Sequence, residues 1–178
     1  MLCDTEILSL CQTTDIVTPF DPSMIGPCSL DIHLGDRCAK YIVSPVLEDI
    51  IDLHDRTTFK TIKFTIPTEG IILYPGSFVL ANTLEYFKLP NNIVCQLIGR
   101  SSIGRLALTI HVTAGLVDCG YEGSLTLEIA NLNNKPIRIY PGDKIGQITF
   151  EKITPCEKDY GQKGGRYQFD TDVNGSLY

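Results

Sequence analysis

Alternating hydrophobic and polar positions recur along most of the chain and predict short β-strands. The predicted strands cover residues 28–34, 41–43, 61–66, 71–73, 78–84, 93–98, 125–130, 137–140 and 145–150. Turn sequences separate many of them, as in Tyr74-Pro75-Gly76 and Tyr140-Pro141-Gly142, which we interpret as one kind of turn used twice. Strands spaced roughly 8–12 residues apart and joined by such turns are typical of an all-β sandwich or barrel.

Two helices and a tail complete the predicted organisation. Residues 4–12 form the first helix, and residues 102–106 form a short second helix that Ser101 and Ser102 can cap. A chain of 178 residues is expected to contain one domain, which we place at residues 1–154. The polar, glycine-rich residues 155–178 form either a mobile tail or a lid that brings Lys163 and Arg166 over phosphates.

Composition narrows the classes of function. The net charge of −6 argues against nucleic-acid binding, which usually needs a basic face. No apolar run approaches the ~20 residues of a membrane-spanning helix, and Asp4 and Glu6 interrupt any signal peptide. The seven cysteines contain no C-x-x-C pair. We therefore expect reduced, mostly buried thiols in a cytoplasmic protein that does not bind membranes.

Polar residues in the first half of the chain give no clear site. Alternation over 28–34 puts Cys28, Leu30, Ile32 and Leu34 on one face, and Gly35 is predicted to end that strand. Asp31 and His33 share the other face, which we interpret as solvated or facing another subunit. The acidic run of Asp49, Asp52, His54 and Asp55 is predicted to be a solvated loop, because it lacks metal-ligand spacing.

Residues 99–128 carry the strongest chemical signal. Arg100, Ser101, Ser102 and Arg105 gather guanidinium and hydroxyl groups that suit a phosphate. Pairing of the two arginines with surface carboxylates is the alternative interpretation.

Two carboxylates follow in the same stretch. Alternation over 124–130 puts Glu128 on a face with Ser124 and Thr126, either shielded from water as an acid/base or simply solvated. Asp118, which precedes a glycine turn, either orients a sugar or water or only forms the turn.

The absence of the zinc-binding motifs excludes a zinc-dependent base deaminase. Such enzymes use H-x-E with P-C-x-x-C, and the chain contains neither sequence. If the protein deaminates a base, we expect it to work without bound zinc.

Several motifs resemble those of the dCTP deaminase family, which shares its fold with trimeric dUTPases. Residues 99–106, Gly-Arg-Ser-Ser-Ile-Gly-Arg-Leu, match the most specific motif of that family. Further matches lie in residues 25–35, 74–76, 84–90, 111–114 and 120–128. The resemblance implies a mainly β fold, a distorted jelly roll or β-barrel of the trimeric dUTPase-like type with a few short helices. It also implies a homotrimer with sites between subunits.

The resemblance assigns roles residue by residue. Glu128 would be the general acid/base for water attack at C4 of cytosine, and Ser101 and Arg105 would align the water, the carboxylate and the amino group. Arg100 and Ser102 would contact the triphosphate with its Mg²⁺. Asp118 would lie near the 3′-hydroxyl, the main chain of Val112 to Ala114 would read the base edge, and Tyr160 would cover the nucleotide. Further nucleotide contacts are implied for Ile103, Gly104, Thr113, Thr126, Leu127, Gln147 and Arg166.

The family divides into members that stop at dUTP and members that continue to dUMP and pyrophosphate. Gly115 and Leu116 are not basic, and Gln147 is present, so the chain resembles the second branch, in which Asp118 would also position the hydrolytic water. Leu116 departs from the aromatic residue usual there. His111 and Thr113 would support inhibition by dTTP.

The predicted function is thus deamination of dCTP followed by hydrolysis of dUTP. Asp170 stands where the family has an amide and would repel a γ-phosphate, which leaves a less phosphorylated deoxycytidine substrate open. The sequence is also compatible with a one-step dCTP deaminase, a plain dUTPase, or a non-catalytic trimer that binds a nucleotide or protein.

Overall fold

The computed structural model describes residues 1–43 and 50–178. Within these residues the chain forms mainly β-strands, as predicted, with a ten-residue helix near the start and a four-residue helix at Ser101–Gly104. The strands are β1 Val17–Thr18, β2 Leu30–Tyr41, β3 Thr61–Thr65, β4 Ile71–Leu73, β5 Phe78–Lys88, β6 Ile93–Gly99, β7 Leu108–Thr109, β8 Leu116–Val117, β9 Glu122–Asn131, β10 Ile137–Ile139 and β11 Lys144–Lys152. The helices are α1 Asp4–Thr13 and α2 Ser101–Gly104, and single 3₁₀ turns cover Pro22–Met24 and Arg56–Thr58.

One curled antiparallel sheet dominates the fold. Seven strands lie in the order β7-β9-β5-β2-β11-β6-β8, while β1 pairs with β5 and β3 pairs with β2. The strands alternate between a core face and an outer face because side chains along a strand point to opposite sides. In β2, for example, Leu30, Ile32 and Leu34 are fully buried. The predicted inward face of this strand is therefore confirmed from Leu30 onward, whereas Cys28 lies before the strand and is exposed.

The prediction that β2 ends at Gly35 is wrong. The strand continues to Tyr41 through an irregularity between Leu34 and Cys38 in its pairing with β5. A side chain at Gly35 would overlap the buried side chain of Asn82, whose Oδ1 accepts the main-chain N–H of Arg37 at 2.9 Å. Glycine is thus needed here for close packing of two strands rather than for a chain end.

Strand β5 is also longer than the alternation predicts. It runs past residue 84 to Lys88 because a buried polar segment stays within the strand. The Thr83 hydroxyl donates to the Glu85 carbonyl at 2.7 Å and accepts from the Leu125 N–H at 3.0 Å. These hydrogen bonds satisfy groups that would otherwise make burial costly.

The two Tyr-Pro-Gly turns share one geometry. Ser77 N–H donates to the Tyr74 carbonyl at 2.9 Å, and Asp143 N–H donates to the Tyr140 carbonyl at 3.1 Å. Gly76 and Gly142 have φ of 78° and 85°, a region that favours glycine. The strands before these turns, β4 and β10, pair with each other. The interpretation as one kind of turn used twice is confirmed.

The first helix and the free, mostly buried thiols agree with the predictions from the sequence. Helix α1 buries Ile7 and Cys11. All seven cysteines are free, with Cys11, Cys38, Cys95 and Cys119 buried and Cys156 half-buried.

The acidic run has the exposure expected of a solvated loop where it is described. Asp52, His54 and Asp55 are exposed, while Asp49 lies outside the described residues. Among the residues that the structure describes, no helix has the length and apolar composition to cross a membrane.

We expect Gly35→Ala to lower the free energy of unfolding by roughly 1–3 kcal/mol, because the new methyl group overlaps Asn82. Denaturant unfolding of Gly35→Ala, Asn82→Ala and the double variant measures this. The double variant should lose less stability than the sum of the single variants, because Asn82→Ala removes the overlapping group. Strictly additive losses would contradict the packing explanation.

Candidate functional site

A cleft of about 370 Å³ opens beside β9. This volume lies within the range of small-molecule sites, which is roughly 300–1,000 Å³. Strands β2, β5, β6, β8 and β9, the segments on either side of β8, and the C-terminal segment supply the wall. The polar side chains in the lining are Tyr41, Asp118, Tyr121, Thr126, Glu128, Tyr160, Tyr167, Asp170, Asn174 and Ser176.

Glu128 lies in the wall of this cleft because of the alternation in β9. Its neighbours Leu127 and Ile129 are fully buried in the core, so Thr126 and Glu128 point to the other face. The Glu128 side chain is half-buried, and its Oε2 accepts the main-chain N–H of Val112 at 2.6 Å. The main-chain N–H of Glu128 in turn donates to the Ile110 carbonyl at 2.9 Å. The carboxylate is therefore fixed against the segment after β7.

Another part of the wall comes from the segment around β8, through Ala114, Leu116, Val117 and Asp118. Strand β8 pairs with β6, with Leu116 opposite Gln96 and Val117 opposite Cys95. Gly115 lets this segment approach β6 closely, because a side chain there would lie 2.9 Å from the Leu97 carbonyl oxygen. The Leu97 N–H donates to the Gly115 carbonyl at 2.7 Å. Leu116 and Ala114 consequently line the cleft.

Asp118 forms the predicted turn and also lies in the cleft lining. Its carbonyl accepts the Tyr121 N–H at 3.2 Å, so it starts the turn that contains Gly120 with φ of 79°. Its exposed side chain also lines the cleft. A second carboxylate is thus presented to the cleft at the end of β8.

The C-terminal segment packs along the sheet and closes one side of the cleft. The Tyr160 ring meets Tyr121 edge-on at a centroid distance of 5.7 Å, and its N–H donates to the Cys119 carbonyl at 2.9 Å. Further along, the Ser124 N–H donates to the Asp170 carbonyl at 2.8 Å, and Val173 is fully buried. Tyr160, Tyr167 and Asp170 therefore stand in the cleft wall.

The arginine and serine cluster occupies a different place. Arg100 follows β6 and forms an ion pair with Asp31 of β2. Strand β11 lies between these two strands, and its Gln147 pairs with Asp31 in register and donates to Asp31 Oδ1 at 3.4 Å. Lys144 Nζ lies 3.4 Å from Asp31 Oδ2. We call Asp31, Arg100, Lys144 and Gln147 the basic cluster.

Asp31 is anionic over a wider pH range than an isolated aspartate. Burial by itself raises its pKa, but the hydrogen bond and charge of Arg100, with contributions from Gln147 and Lys144, outweigh burial and lower the pKa below 3.8. The interpretation of Asp31 as simply solvated is therefore wrong, because only 15% of its side chain is exposed and it holds Arg100. The alternative, that Asp31 faces another subunit, stays a prediction.

Helix α2 differs from its prediction. It covers Ser101–Gly104 rather than residues 102–106, and Arg100 occupies the cap position without a capping side-chain hydrogen bond. The two serine side chains therefore do not cap the helix. Ser101, Ser102 and Arg105 are exposed, which leaves their hydroxyl and guanidinium groups accessible.

The structure brings only part of the predicted site together in one chain. The cleft lining includes six predicted residues, namely Ala114, Leu116, Asp118, Thr126, Glu128 and Tyr160. Val112 contacts Glu128 through its N–H, and the fully buried Leu127 faces the core with its side chain. Arg100 and Gln147 meet in the basic cluster. The remaining predicted residues are outside the cleft lining: Ser101, Ser102, Ile103, Gly104, Arg105, His111, Thr113, Gly115 and Arg166.

Some lining residues were not predicted. The C-terminal part of the wall, Asp170 and Asn174 to Ser176, comes from a segment whose composition allowed either a lid or a mobile tail. The apolar part, including Phe78, Leu80 and Leu97, comes from ordinary strand residues. Only the pairing of strands that are distant in sequence puts these side chains in one cavity.

These features define the class as a mainly β protein with a small-molecule cleft beside strand β9. The chain belongs to the dCTP deaminase-like family, whose model matches residues 1–153. That match includes the basic cluster, Glu128 and Asp118, and it ends before Tyr160.

The names of similar proteins are consistent with membership of this family. The chain is 43% identical to "dCTP deaminase, dUMP-forming" of Nanoarchaeum equitans, over 94% of this chain and 91% of the relative. It is 37% identical to the protein of the same name from Methanosphaerula palustris, over 100% and 95% of the two chains.

A solved structure gives the same fold. The 2′-deoxycytidine 5′-triphosphate deaminase of Agrobacterium tumefaciens superposes with a TM-score of 0.66 at 25% identity, covering 86% of this chain. The chain spans about half the length of that protein, since 47% of it is covered.

The lowered pKa of Asp31 predicts a contribution to stability that depends on pH. The ion pair with Arg100 stabilises the folded protein above the ordinary pKa of 3.8, and this contribution is lost as the pH falls through the lower folded value. We therefore expect Asp31→Asn to be less stable than the parent protein at neutral pH, with the difference shrinking under acid conditions.

Denaturant midpoints measured from about pH 7 down to about pH 2 follow this difference. Asp15→Asn is the matched control, because Asp15 is exposed and forms no ion pair in the described part of the chain. An equal pH dependence of both variants would contradict the role of the ion pair.

Proposed function

We propose that this protein hydrolyses dCTP at C4 of the cytosine ring, releasing ammonia, and then converts the resulting dUTP to dUMP and pyrophosphate. Membership of the dCTP deaminase-like family and the names of the relatives support this proposal. The structural observation that carries it is a half-buried carboxylate, Glu128, held in a cleft large enough for a small molecule.

Glu128 is suited to proton transfer in the first reaction. Its Oε2 is already bound by the Val112 N–H, which fixes the direction of the carboxylate. Within the described residues, Oε1 accepts no hydrogen bond and is available for the attacking water. Glu128 would take a proton from this water and then deliver protons to N3 and to the departing ammonia. A positioned group of this kind typically contributes 10²- to 10⁴-fold to a rate.

The phosphate contacts are proposed to come from a second copy of the chain. Ser101, Ser102 and Arg105 are exposed, and the basic cluster is not part of the cleft lining. A homotrimer that places residues 100–105 of one subunit at the cleft of the next would complete the site. Ser101 and Arg105 would then align the reacting groups at Glu128, and Arg100 and Ser102 would bind the triphosphate. Ile103, Gly104 and Gln147 would approach the nucleotide with them.

Magnesium fits this proposal as an ion carried by the substrate. Within residues 1–43 and 50–178, no group of three or more histidine, cysteine or carboxylate side chains is arranged to hold a metal. We therefore propose that Mg²⁺ is bound through the phosphate oxygens, where it would neutralise part of their negative charge. Asp31, which is engaged by Arg100, would keep the nearest guanidinium directed toward those phosphates.

The second reaction would depend on the residues around β8, and the lid would come from the C-terminal segment. Asp118 would hold the deoxyribose 3′-hydroxyl and position the water that attacks phosphorus, and Gly115 and Leu116 would leave space for that water. Residues 155–178 would act as a lid, with Tyr160 over the nucleotide and Arg166 near its phosphates. The Asp170 carboxylate accepts hydrogen bonds from the Asn174 side chain at 2.8 and 3.0 Å, so it is engaged within the lid.

Regulation and location belong to the same proposal. We propose that dTTP occupies the nucleotide site as an inhibitor and contacts the segment of His111 and Thr113. A cytoplasmic location fits free thiols at all seven cysteines.

The proposed function predicts ammonia, dUMP and pyrophosphate in equal amounts from dCTP and Mg²⁺. Glu128→Gln should lower the deamination rate at least about 10²-fold, because the amide cannot accept the proton. Nucleotide affinity should change little, since the amide oxygen can still accept the Val112 N–H. Ammonia release and nucleotide binding measure the two effects, and Glu122→Gln on the same strand, outside the cleft lining, is the matched control.

The products of the assay distinguish the candidate activities. Accumulation of dUTP would indicate a one-step deaminase, and dUMP from dUTP without ammonia from dCTP would indicate a plain dUTPase. Parallel assays with dCDP and dCMP would reveal a less phosphorylated substrate. Full deaminase activity in Glu128→Gln would contradict the role of this carboxylate.

The shared site predicts complementation between inactive variants. After random equimolar assembly of Glu128→Gln and Arg105→Ala subunits, about a quarter of all sites should combine an intact Glu128 with an intact Arg105 from a neighbouring subunit. Deaminase activity should return to a corresponding fraction of the parent value. Mixed trimers of Ser101→Ala and Arg105→Ala are the control, because every site there contains one defect. Verified mixed trimers without recovered activity would refute a site shared between chains.

A further inference from the structure

Two cysteine side chains meet beside the cleft without forming a bond. Cys119 Sγ and Cys156 Sγ lie 3.1 Å apart, and both thiols are free. A disulfide needs a sulfur–sulfur distance of about 2.05 Å, so the two atoms have to approach by roughly 1 Å. The proposed catalytic steps use neither thiol.

The main chain holds this pair in place on both sides. Cys119 follows Asp118 in the turn at the end of β8, and its carbonyl accepts the Tyr160 N–H at 2.9 Å. Cys156 begins the C-terminal segment, and its N–H donates to the Asn91 carbonyl at 3.1 Å. Both cysteines are therefore anchored by hydrogen bonds to other segments, which favours bond formation between them over bonds to more distant thiols.

We propose that Cys119 and Cys156 form a reversible redox site, in which a peroxide or a small disulfide oxidises the two thiols to an intrachain disulfide. This bond would fasten the start of the C-terminal segment to the turn that carries Asp118. The segment that supplies Tyr160 and Tyr167 to the cleft would then be covalently attached at its root.

The reaction balances with peroxide as the oxidant. Half-buried Cys156 is the more accessible thiol and attacks the peroxide oxygen, which gives a sulfenic acid and one water. Cys119 then attacks the Cys156 sulfur, and the hydroxyl leaves as a second water. Both thiol protons end in water, and the two electrons reduce the peroxide. A dithiol reductant reverses the step by thiol–disulfide exchange.

The surroundings of Cys119 predict how this reaction depends on pH. Burial, the hydrogen bond with Cys156 and the nearby carboxylates of Asp118 and Asp159 raise the pKa of Cys119 to about 11. The reactive thiolate is therefore scarce at neutral pH and becomes more abundant as the pH approaches that value. Disulfide formation should accelerate accordingly between neutral and alkaline pH.

Peptide mapping of the full-length protein tests the site directly and needs no enzyme assay. After treatment with hydrogen peroxide, we expect one cross-link, Cys119–Cys156, and a loss of two hydrogen atoms, about 2 Da. Dithiothreitol should restore both thiols. Cys28→Ser, which removes an exposed thiol, should form the same cross-link, whereas Cys156→Ser should not. Cross-links to other cysteines, or alkylation of both Cys119 and Cys156 after oxidation, would overturn the proposal.

Hydrogen exchange tests the fastening of the C-terminal segment. Oxidation should slow exchange in residues 157–170 of the parent protein and of Cys28→Ser, and dithiothreitol should reverse the change. Cys156→Ser, treated identically, should show no such protection. A disulfide that forms without any change in exchange of this segment would overturn the proposed attachment.

Discussion

The two-residue period of β9 is the constraint on which both the core and the cleft depend. Leu125, Leu127 and Ile129 enter the core, so Thr126 and Glu128 must face the cleft. A shift of one residue in the pairing with β5 would exchange these faces. Such a shift would bury an unpaired carboxylate and expose large apolar side chains, both of which are costly. The same packing that stabilises the sheet therefore determines where the carboxylate lies.

The second constraint is that the carboxylates of the cleft and the positive groups of the basic cluster lie apart in one chain. The protein has a net charge of −6, yet its proposed substrate is a polyanion. The basic cluster gathers positive charge at one place in this acidic protein. Asp31 holds Arg100 there, with only 26% of the arginine side chain exposed. In one chain this guanidinium is outside the lining of the cleft that contains Glu128 and Asp118. The carboxylates of the cleft and the guanidinium of Arg100 therefore lie at different places on one chain.

Alternation and turn sequences predicted most strands, but their ends depended on tertiary contacts. The irregularities at Gly35 and at residues 82–86 continue β2 and β5 because Asn82 and Thr83 satisfy buried main-chain groups. No local pattern reveals such hydrogen bonds. The prediction that the serines cap α2 was wrong because the main chain at Arg100 is extended, which puts Arg100 rather than a serine at the cap position.

The site was predictable where one short stretch carries it. Glu128, Asp118 and Ala114 were found from residues 99–128 and line the cleft. Asp31 was missed because its partner Arg100 is brought close only by the order β2-β11-β6. In the C-terminal wall of the cleft, the resemblance pointed to Tyr160, but Asp170 and Asn174 to Ser176 were not predicted. The composition of the tail specifies its polarity but not the strand on which it packs.

That C-terminal segment is held by main-chain hydrogen bonds and by the packing of Tyr160 and Val173. The Phe169 N–H donates to the Glu122 carbonyl at 2.6 Å, and the Ser124 N–H donates to the Asp170 carbonyl at 2.8 Å. Val173 is fully buried, whereas the ion pair of Lys63 with Asp172 is largely exposed and contributes little. The bonded residues Glu122 and Ser124 belong to β9, the strand that carries Glu128. Displacement of residues 169–170 must therefore break main-chain hydrogen bonds with β9, the strand that also places Glu128 in the cleft.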